Sequence, residues 1–218
     1  AESARAPQRA PVSTTPIPQS TLPTVAAAPT RIQPLKARVL FGVQSVGKDI
    51  AKSIPAAHSA AHVDKPQVTT WNKAKNSKKP VIATATIGRN GNPASKLRAF
   101  AALVNDAPRG SIDVAVMAFN YQDVNAETDV DGLFDDYQET MESIEVANPD
   151  ITFVYTTVPV TASNSWRAVD RANVTGLHDV TQPVWQDNIA RERLNMSIRE
   201  RYGNTGRLFD IAALQARV

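Results

Sequence analysis

From Leu35 onward the chain alternates short, nearly unbroken apolar runs with longer stretches whose apolar residues recur every three or four positions. The runs ARVLFG (37–42), PVIATATIG (80–88), SIDVAVMAFN (111–120), DITFVYTTVP (150–159) and GRLFDIA (206–212) are rich in Val, Ile, Phe and Thr, and they predict five strands. Between them, VGKDIAKSI (46–54), ASKLRAFAALVND (94–106), GLFDDYQETMESIEVA (132–147) and QPVWQDNIARERLNMSIRERYG (182–203) carry helical spacing. Continuous apolarity suits strands whose two faces are both covered by helices. The regular succession of strand and helix therefore predicts an α/β fold built on an open parallel sheet.

Residues 1–34 break this pattern. They hold seven of the chain's 15 prolines and no aromatic residue. Such a composition buries too little apolar surface to offset the ordering of its backbone, so the expected organisation is a Pro/Ala/Thr-rich disordered linker over 1–34 and one folded domain over 35–218. A linker of this kind and a first residue, Ala1, that is not methionine lead to an expected periplasmic or extracellular location.

Charge changes the picture little: 24 Lys and Arg stand against 21 Asp and Glu, which marks out no nucleic-acid partner. Lys73, Lys75, Lys78 and Lys79 beside Trp71 read as a solvated loop. The absence of cysteine excludes disulfides, thiolate metal sites and a cysteine nucleophile. No apolar run reaches the roughly 20 residues needed to cross a bilayer.

Ligands of an open parallel sheet bind beyond the carboxyl ends of its strands. Gly42, Gln44, Ser45 and Gly47 follow the first predicted strand, and Gly88, Asn90, Gly91 and Asn92 the second. Asn120, Tyr121, Gln122 and Asp123 follow the third, Thr161 and Ser163 the fourth, and Asp210 lies on the fifth. A hydroxyl, glycine-rich turns, amides and carboxylates on one edge are the groups acyl transfer requires. Ser45 equally fits a helix N-cap, and its Gly-x-x-Ser-x-Gly setting is not the nucleophile elbow of the α/β-hydrolases.

The stretches VLFGVQSVGKDI, TIGRNGNPASKLRAF, DVAVMAFNYQDV, ITFVYTTVPVT and RLFDIAALQA, in this order from Arg38 to Gln215, resemble a branch of the SGNH (GDSL-like) hydrolase superfamily. The resemblance implies a flavodoxin-like three-layer α/β/α fold and hydrolysis of acyl or acetyl esters, often on carbohydrates and lipids; no cofactor is expected. It implies Ser45 as nucleophile, Gly88 and Asn90 near the oxyanion, Gln122 and Asp123 at the place of the Asn-Asp signature, and Asp210 at the acidic end of the last strand. Three features depart from the family, the first being Gln122 where its Gly-x-Asn-Asp signature has asparagine. Its first motif reads Phe-Gly-His-x-Ser-Val-Gly, and Val43 takes the histidine place; its late Asp-x-x-His pair is missing, since Asp210 is followed by Ile211, Ala212 and Ala213.

His178, in a polar loop before the last helix, is then the candidate base, with Asp210 as its orienter. His58 and His62 have i, i+4 spacing but no further metal ligands, and the acidic stretch 127–138 has only partial EF-hand spacing, so no metal site is assigned. Trp71, Trp166 and Trp185 read as packing anchors or sugar-stacking surfaces. Two functions remain open: a serine ester hydrolase acting on a small acyl ester or acylated glycan, and a degenerate relative that binds an acylated saccharide or a protein without cutting it.

Overall fold

A computed structural model describes residues 32–161 and 184–216, with the side chains of Val184 and Trp185 outside that set. The elements run β1 (Arg38–Val43), α1 (Ser45–Ala60), β2 (Val68–Thr70), α2 (Trp71–Ala74), β3 (Val81–Thr86), α3 (Pro93–Asn105), β4 (Val114–Met117), α4 (Val130–Ala147), β5 (Thr152–Thr156), α5 (Val184–Tyr202), β6 (Leu208–Phe209) and α6 (Ile211–Gln215). A short 3-10 turn, Tyr121–Asp123, follows β4.

The sheet is parallel throughout, in the order β2-β3-β1-β4-β5-β6. Five of these strands, β3 to β6 with β1 between β3 and β4, keep the flavodoxin-like order. The sixth corrects the five-strand expectation. Its three residues, Val68–Thr70, sit at the sheet edge against Ile82–Thr84 and are too short to stand out as a periodic run.

Alternate strand residues feed two cores. Leu40, Ala115, Met117, Phe153 and Tyr155 point to one face, where Phe100 of α3, Tyr137 and Met141 of α4, and Leu194 and Ile198 of α5 close over them. Phe41, Val43, Val116 and Ala118 point to the other, against Ala51 of α1 and Ile211 of α6. Both faces are thus covered, which makes the three layers and explains the continuous apolarity of the strands. Each fully buried side chain of this kind contributes about 1.5–3 kcal/mol. Trp71 is among the packed core residues, so it serves as an anchor and offers no stacking surface. No helix among the described residues is long and apolar enough to cross a membrane.

Helix α1 continues past the predicted end at residue 54 and carries Pro55 inside it. Proline removes one backbone donor there. The half-buried edge position tolerates this, and the helix runs on to Ala60. His58 lies in its last turn with its ring on the Ile54 carbonyl, whereas His62 falls beyond the helix with φ of 56°. The two histidines therefore do not share a helix face. Asp129 caps α4 through Gly132 N at 3.1 Å, so the acidic stretch before α4 acts as a helix start.

Candidate functional site

Strand β1 has β3 on one side and β4 on the other, so the loops leaving these three strands meet at the switch in strand order. Their first residues build the site.

After β1, Gln44 is the N-cap residue of α1 and Ser45 is its first helical residue. The cap is unusual. Gln44 makes no side-chain bond to the helix; its amide nitrogen instead donates 2.8 Å bonds to the carbonyls of both Ile87 and Gly88, stitching the start of α1 to the end of β3. This corrects the capping alternative for Ser45. Its hydroxyl is exposed, does not cap the helix, and accepts a 3.0 Å hydrogen bond from Asn120 Nδ2. At the N-terminus of a 16-residue helix, negative charge developing on Ser45 is favoured by the unpaired amides of the first turn.

Gly47 explains why the motif carries its second glycine. A Cβ there would stand 2.4 Å from Val43 Cγ1, so only glycine lets α1 lie this close to the strand. Val43, at the family's histidine place, is fully buried against that helix and takes no part in the polar site.

After β3, Gly88 adopts φ of +50°, and a Cβ on it would meet Lys96 N at 2.6 Å and the Ser95 carbonyl carbon at 2.7 Å. The loop can turn this tightly only with glycine. It delivers Asn90, whose side-chain oxygen accepts from Lys96 Nζ at 3.1 Å and, at the outer limit of a hydrogen bond, from Asn120 Nδ2 at 3.5 Å. The Asn90 amide nitrogen has no hydrogen bond among the described residues.

After β4 come Asn120, in extended conformation and 2% exposed, and the turn carrying Asp123. The Asp123 carboxylate accepts from Lys96 Nζ at 2.5 Å, from the Asn120 backbone N–H at 2.6 Å and from the Gly91 N–H at 2.9 Å. Both charged side chains are 0% exposed. Burial pushes the Lys96 ammonium below the ordinary lysine value, against the pull of Asp123. Arg191 of α5 braces this turn from outside, donating to the carbonyls of Tyr121 at 2.8 Å and Val124 at 3.0 Å.

The sequence-predicted residues fare differently. Ser45, Gly88, Asn90 and Asp123 belong to this one cluster. Gln122, expected to supply the amide after the third predicted strand, makes no hydrogen bond among the described residues; Asn120 supplies that amide instead. The reason is geometric: Asn120 continues the alternation of Val114, Val116 and Ala118 toward the face where α1 begins, and the turn then breaks the extended path before Gln122. Asp210 caps α6 through Ala213 N at 3.0 Å, accepts from Thr157 Oγ1 at 2.9 Å and takes a two-pronged contact from Arg199 at 2.7 and 3.1 Å. Burial pushes its carboxyl up, but the Arg199 fork and the Ala213 amide outweigh that, and it lies below the ordinary carboxylate range. No histidine is among its partners in the described residues. His178 lies outside them, as do Ser163 and Trp166.

Lys96 is inconspicuous in the sequence because it sits inside an amphipathic helix. Its spacing gave a signal nonetheless: Lys96, Phe100 and Val104 form one i, i+4, i+8 stripe, and a lysine on a buried stripe demands a buried partner. Among the described residues, no group of three His, Asp or Glu side chains is placed to hold a metal ion.

No protein family and no curated protein matches the chain. Among solved structures it is similar to a Streptococcus pneumonia protein described as a "putative platelet activating factor", with 10% sequence identity, a TM-score of 0.43, and coverage of 77% of this chain and 75% of that one. A likeness this distant carries no argument about activity.

Proposed function

We propose that this chain is an SGNH-type serine ester hydrolase acting on an acyl ester, with acetyl groups on saccharides as the favoured class. One observation carries the reading: the Asn120 amide donates to the exposed hydroxyl of Ser45 at 3.0 Å, at the N-terminus of α1 and at the strand-order switch. In the proposed reaction Ser45 Oγ attacks the ester carbonyl carbon and its proton passes to a base. The oxyanion so formed lies on the carbon bonded to Oγ, within reach of the Asn120 and Asn90 amides and of the Ser45 backbone N–H. The alcohol leaves with the proton returned by the base, and water then cleaves the acyl-serine.

The base is assigned to His178. Only three histidines exist, and His58 is about 20 Å along α1 from Ser45, with His62 beyond it. The substrate class rests on the family resemblance, and an export destination on the Pro-rich composition of residues 1–34.

A second reading has its own support. No described residue accepts the Ser45 proton, and the Asp210 carboxylate is engaged by Arg199, which favours a cleft that binds an acylated saccharide without turnover. Hydrolysis of aryl acetate and butyrate esters by the wild type and by Ser45→Ala separates the two. Activity confined to the wild type supports the hydrolase; equal background rates, with thermal protection by an acetylated glycan, support the binding module.

A further inference from the structure

Lys96 and Asp123 form an ion pair with both side chains fully buried, directly behind the proposed oxyanion donors. A buried pair of this kind contributes little to stability, because desolvating each ion costs several kcal/mol and apolar residues of similar volume serve the fold as well or better. Its position suggests another use. Through Lys96, Asn90, Gly91, Asn120 and Asp123 it ties together α3, the loop after β3, the end of β4 and the turn beyond it.

The direction of the bonds matters more than their number. An ammonium group only donates. The Asn90 atom facing Lys96 Nζ must therefore be the oxygen, which leaves the Asn90 nitrogen, with two N–H groups, turned away from the pair and unused among the described residues. Asn120 approaches that oxygen with its amide nitrogen at 3.5 Å, the outer limit of a hydrogen bond. The same nitrogen reaches Ser45 Oγ, so the serine oxygen is held as an acceptor and its proton is left for a base.

We propose that Lys96, held by Asp123, is a positioning residue that sets the orientation of the Asn90 and Asn120 side-chain amides, so that both present N–H donors to the acyl site. This rests on the hydrolase reading for its consequence in catalysis, though the orientation itself does not.

The test is a cycle of variants read by ester hydrolysis. Asn90→Ala should lower kcat about a hundred-fold, as expected for one oxyanion donor, and Lys96→Met about ten-fold or more, each with KM within about two-fold. If Lys96 acts through Asn90, adding Lys96→Met to Asn90→Ala should change kcat less than about two-fold further, whereas independent effects multiply. Lys96→Gln, which keeps a donor toward Asn90 Oδ1, should restore most of the activity. Multiplicative losses in the cycle, or Lys96→Gln no better than Lys96→Met, overturn the proposal. Should Lys96→Met fail to fold with the Asp123 charge left alone, Lys96→Met combined with Asp123→Asn removes both charges and takes its place in the cycle.

A second readout is independent of turnover: the side-chain NH2 resonances of Asn90 and Asn120 in nitrogen-15 spectra of the folded protein. Shifts of both pairs in the Lys96 variant support the proposal even if the wild type hydrolyses no ester, in which case the hydrolase reading alone falls. Unmoved Asn90 resonances overturn it whatever the activity.

Discussion

Asn120 Nδ2 stands 3.0 Å from Ser45 Oγ across 75 residues of sequence, joining the end of β4 to the start of α1. In the proposed reaction the same amide is also the donor to the developing oxyanion. Asn120→Ala should lower kcat for aryl esters by about 10²- to 10³-fold with little change in KM. An unchanged kcat, measured on protein of wild-type thermal stability, would remove Asn120 from the site.

Gly88 has both a left-handed φ of +50° and no room for a side chain, with Lys96 N 2.6 Å from where a Cβ would sit. Gly88→Ala should therefore destabilise the domain by about 1–3 kcal/mol. It should also displace Asn90, and with it activity, further than the stability loss explains. Urea unfolding gives the first quantity; wild-type stability in the variant would show that the loop relaxes freely.

Asp210 predicts an acid-side signature. Its folded-state pKa lies below the ordinary 3.8, so its stabilising effect is present above that value and is lost as pH falls through the folded one. Removing the charge with Asp210→Asn should cost about 2–3 kcal/mol at pH 7, the size of hydrogen bonds to a charged group. The gap between variant and wild type should narrow toward pH 3. Urea midpoints at the two pH values measure it, and an equal gap at both would contradict the Arg199 pairing.

On the alkaline side, Tyr155 and Tyr202 stack with ring centroids 3.6 Å apart, and Tyr137 meets Tyr202 edge-on. Burial pushes the Tyr202 hydroxyl from 10.0 up to about 12 and raises Tyr137 and Tyr155 as well. Groups raised in the folded state stabilise it fully below their unfolded value, so stability should fall as pH rises from 10 through about 12. Phenolate absorbance should grow in step with loss of the helical circular dichroism signal. Ionisation of these phenols near pH 10 with the helices intact would refute the burial account.

What was legible in the sequence follows from what each element needed. The central strands declared themselves because both faces are buried, so β1, β3, β4 and β5 appear as unbroken apolar runs. Strand β2 is three residues at an edge and leaves no such trace, and β6 shrinks to Leu208–Phe209 because Asp210 starts a helix. Ser45 and Gly88 could be located because each follows a strand run, and their expected roles came from the family resemblance. Asn120 could be located at the same edge but not singled out from Gln122, and Lys96 could not be located at all, since an amide after a strand and a lysine in a helix become distinctive only when the parity of the strand and the stripe of the helix bring them to one point. The partner of Asp210 depended on Arg199, eleven residues earlier on another element, for which the local pattern holds no cue.

The central claim is that Ser45 is an activated nucleophile, and covalent trapping tests it most directly. The folded wild-type protein and Ser45→Ala would be incubated with a fluorophosphonate, digested, and mapped by mass spectrometry. The account predicts one phosphonyl adduct, on the peptide containing Ser45, and none in the variant. No adduct on the wild type, or the same labelling in both proteins, would contradict it.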